Sequence, residues 1–209
     1  MPPAPGCGKA GAGVAEGGAG WQGARRDEGA FGMIAGIAAL VAAYVLSQFY
    51  RAFLAVLAPV LGQEIGAGAE DLAAASGIWF LVFALMQIPV GAALDRVGPR
   101  RTAAVLLGAG GAGGAAVFAM AQGPGAVMVA MALIGVGCAP VLMAAYYIFA
   151  RTYSAAVFGT LAGVVIGVGS LGNIASSLPL AAAVEAFGWR AALWGLAGLT
   201  LVVALGLAV

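Results

Sequence analysis

Four residues in the first long apolar run set the chemical question. Tyr44, Ser47, Gln48 and Arg51 stand at i, i+3, i+4 and i+7, the spacing that lines side chains along one face of a helix. A phenol, a hydroxyl, a carboxamide and a guanidinium then form a polar stripe through an otherwise apolar element. Arg51 weighs most, because an arginine inside a membrane helix costs at least about 2.5–3.5 kcal/mol on insertion scales and normally faces a partner or a wet cavity. In a cavity, a guanidinium suits a carboxylate or another small anion, held in a planar two-point contact. The alternative is that Arg51, past the middle of its run, stretches its head to the outer interface.

Other polar side chains interrupt other apolar runs. Gln87 lies beside the helix-kinking Pro89, Tyr146 and Tyr147 are adjacent, and Ser170, Asn173 and Ser177 recur at i, i+3 and i+7. Tyr44, Ser47, Gln48, Arg51, Gln87, Tyr146, Tyr147 and Asn173 are the candidate solute-binding set, and each could instead bond a neighbouring helix. No acidic residue stands in the middle of a run, so the buried carboxylate that proton relays employ is missing from these segments.

What is lacking narrows the chemistry further. The chain has no histidine, which removes the commonest general base, metal ligand and pH switch together. An intramembrane serine protease would need that base. Cys7 and Cys138 have neither disulfide nor zinc spacing. Gly167-Val-Gly169-Ser-Leu-Gly172 spells the dinucleotide fingerprint, but inside a long apolar run with no strand before it. The sequence therefore predicts no catalytic residue, no metal and no cofactor, and a net charge of +1 without dense basic clusters argues against nucleic acid.

The elements that must position these residues follow from composition. Of 209 residues, 63% are hydrophobic and 8% charged, more apolar surface than a water-soluble domain could hide, so the lipid bilayer is the solvent. A crossing needs roughly 20 apolar residues. Runs of that order lie near 33–58, 73–94, 102–122, 126–149, 158–183 and 190–209, predicting an all-α integral membrane bundle over 31–209. Residues 1–30, rich in glycine, alanine and proline, read as a disordered tail. Met33 is an alternative start.

Lys9, Arg25, Arg26, Arg96, Arg100, Arg101 and Arg151 fall on one side of such a bundle, which places the N-terminus in the cytoplasm. Trp79, Trp189 and Trp194 near the span ends read as headgroup anchors. Glycines at four-residue spacing, Gly159-Gly163-Gly167 and Gly110-Gly114, read as close helix contacts.

The sharpest local pattern is Gly91-Ala-Ala-Leu-Asp95-Arg96-Val-Gly98-Pro99-Arg100-Arg101, between the second and third spans. Gly91 permits close helix contact. Asp95 can pair with Arg96, Arg100 or Arg101, or cap the next helix. Arginines here could also serve only to fix topology.

This loop resembles the signature loop of the major facilitator superfamily: glycine, three residues, an acid, a base, any residue, glycine, then basic residues. Pro99 departs from it by taking the first basic slot. The six-span layout, Gly135-Val-Gly137 in the fourth span, the glycine-rich fifth and Gly188-Trp189-Arg190 before the sixth extend the resemblance over 33–209. Met131 stands where the family often has an arginine, which leaves proton coupling through that position in doubt. The resemblance implies two inverted three-helix repeats and a multi-pass protein of the cell membrane. It also implies alternating-access transport of a small solute, with Gly91, Asp95, Arg96, Gly98, Arg100 and Arg101 at a cytoplasmic gate. Together with Arg51 it points to an anionic or zwitterionic solute. Family members usually have twelve spans, so this chain corresponds to the N-terminal half, and a second six-helix half or a homodimer is the implied protein partner. The competing reading is a non-transporting subunit or an inactive half that associates with other helices.

Overall fold

The computed structural model describes the backbone of residues 18–208 and the side chains of residues 36–208. The chain divides into two units, residues 1–35 and 36–209. In the first, helical backbone begins at Gly18. No proline occurs between Pro5 and Pro59 to break it. Lys9 and Cys7 lie outside the described residues.

Among the described residues all regular structure is helical. Helix α1 (Gly18–Ile65) is long and apolar enough to cross a membrane from Gly36 onward. Helices α2 (Ala69–Leu85) and α3 (Gln87–Arg96), bent by 40° at their joint, are together long and apolar enough to make one crossing. Pro89 explains the bend, since it cannot donate to the Leu85 carbonyl and its ring crowds that group. Helix α4 (Pro99–Leu106), a π-helical turn (Leu107–Ala112) and α5 (Gly113–Ala119) make the third crossing. Helix α6 (Pro124–Thr152) is the fourth, α7 (Ala155–Ala175) with α8 (Leu178–Phe187) the fifth, and α9 (Trp189–Ala208) the sixth.

The two halves of this series repeat one another. Pro89 and Pro179 are 90 positions apart, and each sits just beyond the break in the second helix of its triplet. Gly98 and Gly188 are also 90 positions apart and open the third helix of each triplet. Both glycines take the same rare backbone conformation, φ 98°, ψ 156° and φ 81°, ψ 154°. That region is essentially closed to residues with a Cβ. Two three-helix repeats are thus written into the backbone.

Helix α6 is the hub, packed against α2, α3, α4, the π-turn and α5, while α9 covers α4, the π-turn and α5 from the other side. Small residues allow this. A Cβ at Gly110 would fall 2.6 Å from the Gly137 nitrogen, and one at Gly114 would fall 2.8 Å from that of Ile134, so the glycine contact expected of Gly110 and Gly114 is present. Gly135 likewise admits the Trp79 carbonyl.

The stripe Gly159-Gly163-Gly167 makes no such contact, since nothing lies within 4 Å of a Cβ at any of the three. The buried face of α7 carries Val165, Gly169 and Gly172 instead, and at Gly169 and Gly172 the helix presses on α1. Residues 165 and 167 differ by about 200° around a helix, so the expected stripe looks nearly the opposite way. Val164, Ile166, Leu171, Ile174 and Leu178 are exposed on this crossing, as a lipid-facing surface requires.

Candidate functional site

The polar stripe of α1 is real as a line but divides among three neighbours. Tyr44 packs its ring on Gly169 of α7, where only the missing side chain makes room. Gln48 Nε2 donates to the Tyr44 hydroxyl at 2.9 Å, and its Cβ borders Gly172. Ser47 is buried and lies close to the thiol of Cys138 on α6.

Arg51 turns to α2. Its guanidinium carbon is 5.6 Å from the ring centroids of both Trp79 and Phe80, within cation–π range, and its side chain is exposed. Trp79 stacks on Phe83 at 5.1 Å and meets Phe80 edge-on at 4.8 Å, which fixes the platform. Trp79 Nε1 is buried without an acceptor among the described residues.

Arg51 stands 14 residues before Ile65, the end of α1, about 21 Å at 1.5 Å per residue. Its head rests on rings 10 and 11 residues into α2, not at the outer end of α1 where the interfacial alternative would carry it. Every other charge of the described side chains lies at or beside a helix end: Glu64, Glu70, Asp71, Asp95, Arg96, Arg100, Arg101, Arg151, Glu185 and Arg190.

Of the remaining candidates, Tyr146 lies close enough to Tyr44 to interact electrostatically and packs edge-on against Phe158. The structure therefore gathers Tyr44, Ser47, Gln48, Arg51 and Tyr146 around α1. Three others stand apart. Tyr147 lies under the guanidinium of Arg151 at 4.3 Å, near the end of α6. Gln87 donates to the Phe83 carbonyl of its own crossing at 3.0 Å. Asn173 is exposed on α7, and its side chain has no hydrogen bond among the described residues.

At the loop between the second and third crossings, Asp95, Arg96, Arg100 and Arg101 are all exposed. Asp95 does not cap α4, whose N-cap is Gly98 with no side-chain hydrogen bond, and it forms no ion pair among the described residues. Geometry explains this: Asp95 ends its own helix, and the extended Gly98 turns the chain away before α4 begins. The joint is held by Thr102 Oγ1 donating to the Ala93 carbonyl at 3.3 Å. The Arg100 guanidinium lies over Gly36 of α1, and Gly91 faces Met143 of α6 at ordinary contact distance.

Two of the three tryptophans expected at the headgroup level are buried. Trp79 is 1% exposed at mid-crossing and Trp189 is 2% exposed, whereas Trp194 is 50% exposed. Trp189 donates Nε1 to Glu64 at 2.6 Å, and Arg190 lies over its ring at 4.2 Å while donating to the Ala119 carbonyl at 2.9 Å. This knot ties the ends of α1, α5 and α9. Sequence reading also missed the buried pair of Tyr50 and Thr200, whose hydroxyls are 2.7 Å apart across α1 and α9. Its only signal was a threonine inside the last apolar run.

Five helices, and a sixth if the bent α2–α3 pair is counted as one span, are long and apolar enough to cross a membrane, which makes this a multi-pass membrane protein. The sequence profile of the Major Facilitator Superfamily matches residues 29–209, which takes in all six crossings. No curated protein matches the chain. The chain belongs to the Major Facilitator Superfamily, the transporters that move small solutes across membranes.

Proposed function

We propose that this chain carries a small anionic or zwitterionic solute by alternating access across the cell membrane, with Arg51 as the charged contact. Solute transport in general follows from family membership. The single observation that supports the finer reading is the position of Arg51: mid-helix, exposed, and braced on Trp79 and Phe80 with no carboxylate beside it. A guanidinium left facing hydrocarbon at that depth costs several kcal/mol, so the face it occupies borders water, solute or protein. Tyr44, Gln48 and Tyr146 supply hydroxyl and amide groups along the same wall, and Ser47 steadies it against α6.

In this reading the N-terminus is cytoplasmic and the loop from Gly91 to Arg101 forms the inner gate. The exposed Asp95, Arg96 and Arg101 take partners on a second six-helix unit, either another polypeptide segment or a second copy. Uptake of labelled carboxylates and amino acids into proteoliposomes tests the proposal, with Arg51→Ala beside the unmutated chain. Saturable uptake that the substitution abolishes supports it. Uptake unaffected by Arg51→Ala removes Arg51 from the site, and no uptake by a well-folded chain favours the non-transporting reading.

A further inference from the structure

Two helix interruptions lie at matched depth on either side of the loop at Gly98. Gln87, where α3 begins, is 11 residues before Gly98, and Leu107, where the π-turn begins, is nine residues after it, about 16 Å and about 14 Å along the two helices. Pro89 accounts for the first interruption. No proline stands between Pro99 and Pro124, so the second has another cause. Five of the seven residues from Gly108 to Gly114 are glycine, and the Gly113 N–H donates to the Gly108 carbonyl, five residues back where an α-helix uses four. The second repeat lacks this feature. Ninety positions on, residues 197–202 lie inside α9, which runs unbroken from Trp189 to Ala208.

The core divides at the same level. Val90, Leu94 and Ala103 pack in one cluster of buried side chains, together with Ala144, Ala145 and Ala204. Trp79, Ala115, Phe118 and Trp189 belong to another. That second cluster is interlocked: Phe118 meets Phe53 of α1 at 5.3 Å and Trp189 of α9 at 6.3 Å, and Arg190 holds the Ala119 carbonyl. The alanines around α3 and α4 present a smoother surface than interdigitated rings. Thr102 meanwhile joins α4 to α3 through the Ala93 carbonyl. Residues 87–106 are thus tied to each other and set off from α2 and α5 by a break at each end.

We propose that residues 87–106 form a hinged arm, which swings about the Pro89 break and the π-turn and carries the loop from Gly91 to Arg101 while the opposite end of the bundle stays fixed. The fulcrum is the backbone contact of Gly110 and Gly111 with Gly137 on α6, where no side chain intervenes. A π-turn holds one residue more than the α-helical turn it replaces, so a small change of pitch there redirects the whole helix beyond it. With an arm of about 14 Å, a swing of about 20° displaces the loop by about 5 Å. The arm excludes Trp79 and Phe80, so the hinge holds whatever Arg51 binds.

Distances between paired nitroxide spin labels, measured by pulsed electron paramagnetic resonance on the purified full chain in lipid nanodiscs, test the hinge. Labels at Arg101→Cys on α4 and Thr152→Cys on α6 report the arm, and labels at Gln63→Cys on α1 and Met120→Cys at the end of α5 report the opposite end. All four positions are exposed. Cys7→Ser is the background, and the buried Cys138 stays unlabelled. The arm pair should show two distances separated by about 5 Å, and the opposite pair one. Gly108→Ala with Gly113→Ala stiffens the π-turn without a clash, since the first Cβ meets only that of Ala204 at 3.6 Å and the second nothing within 4 Å. The pair of substitutions should shift the two arm populations by about tenfold towards one of them. Gly159→Ala, equally open but on α7, should leave both in place. One narrow arm distance in the labelled chain with its glycines intact overturns the proposal, as does an opposite pair as broad as the arm pair. Two arm distances that ignore Gly108→Ala with Gly113→Ala overturn it as well, because the π-turn is then not the joint that moves.

Discussion

A methyl group at Gly137 has nowhere to go. Its Cβ would lie 2.7 Å from the Gly110 carbonyl carbon and 2.7 Å from the Gly111 Cα, while its contact with the Gly111 nitrogen is closer still. Carbon pairs rest at about 3.5–4.0 Å, so Gly137→Ala demands about 1 Å of separation between α6 and the π-turn. The obstacles are backbone atoms, which no rotamer change can move. Overpacking in a close-packed interior costs typically 1–3 kcal/mol, and backbone against backbone belongs at or above the top of that range. A domain of this size loses roughly 2–4 °C in midpoint per kcal/mol, so a fall of about 6–12 °C is expected. Gly159→Ala is the matched control: nothing lies within 4 Å of its Cβ, and alanine is the better helix former by about 0.5–1 kcal/mol. It should melt at or slightly above the unmutated chain. Cys138, buried next to the altered position, serves as reporter through its reaction with a thiol-sensitive dye on heating, in a Cys7→Ser background. If Gly137→Ala melts within about 2 °C of its parent, the close approach of α6 to the π-turn is not the packing that holds this bundle.

Two further substitutions probe the other joints. Gly98→Ala meets no neighbour within 4 Å, yet must adopt φ 98°, ψ 156°, so a loss of about 1–3 kcal/mol in thermal stability is expected from backbone strain alone, and the same for Gly188→Ala. Thr200→Val strands the buried Tyr50 hydroxyl and should cost about 1–3 kcal/mol. Tyr50→Phe should cost less, because Thr200 keeps its bond to the Leu196 carbonyl, and the double substitution should fall short of the sum.

The crossings were legible because hydropathy and length act residue by residue, and the loop between the second and third crossings because its glycine answers a backbone need: no side chain sits comfortably where Gly98 sits. Pro89 announced its bend for the same local reason. The stripe on α1 was legible as a line, since helical spacing alone decides which side chains share a face. Which neighbour each member meets is a tertiary fact. That Ser47 goes to Cys138, Tyr44 to Gly169 and Arg51 to Trp79 depends on how α6, α7 and α2 are placed, which spacing within α1 does not encode.

The misread glycines and tryptophans share one cause. In water, the apolar face of a helix is the buried face, and periodicity finds it. In a bilayer both lipid and protein interior are apolar, so the period reveals a face without saying what covers it. Gly159-Gly163-Gly167 is as regular as Gly110-Gly114, yet the first looks outward and the second meets α6. Trp79 has the composition of an interfacial anchor but lies at mid-crossing as the floor under Arg51. The residue that escapes this ambiguity is the charged one, because hydrocarbon, unlike water or a neighbouring helix, cannot accommodate a guanidinium at little cost. Arg51 thus carries more functional information than any apolar position in the chain, and the aromatic platform beneath it is what the structure adds.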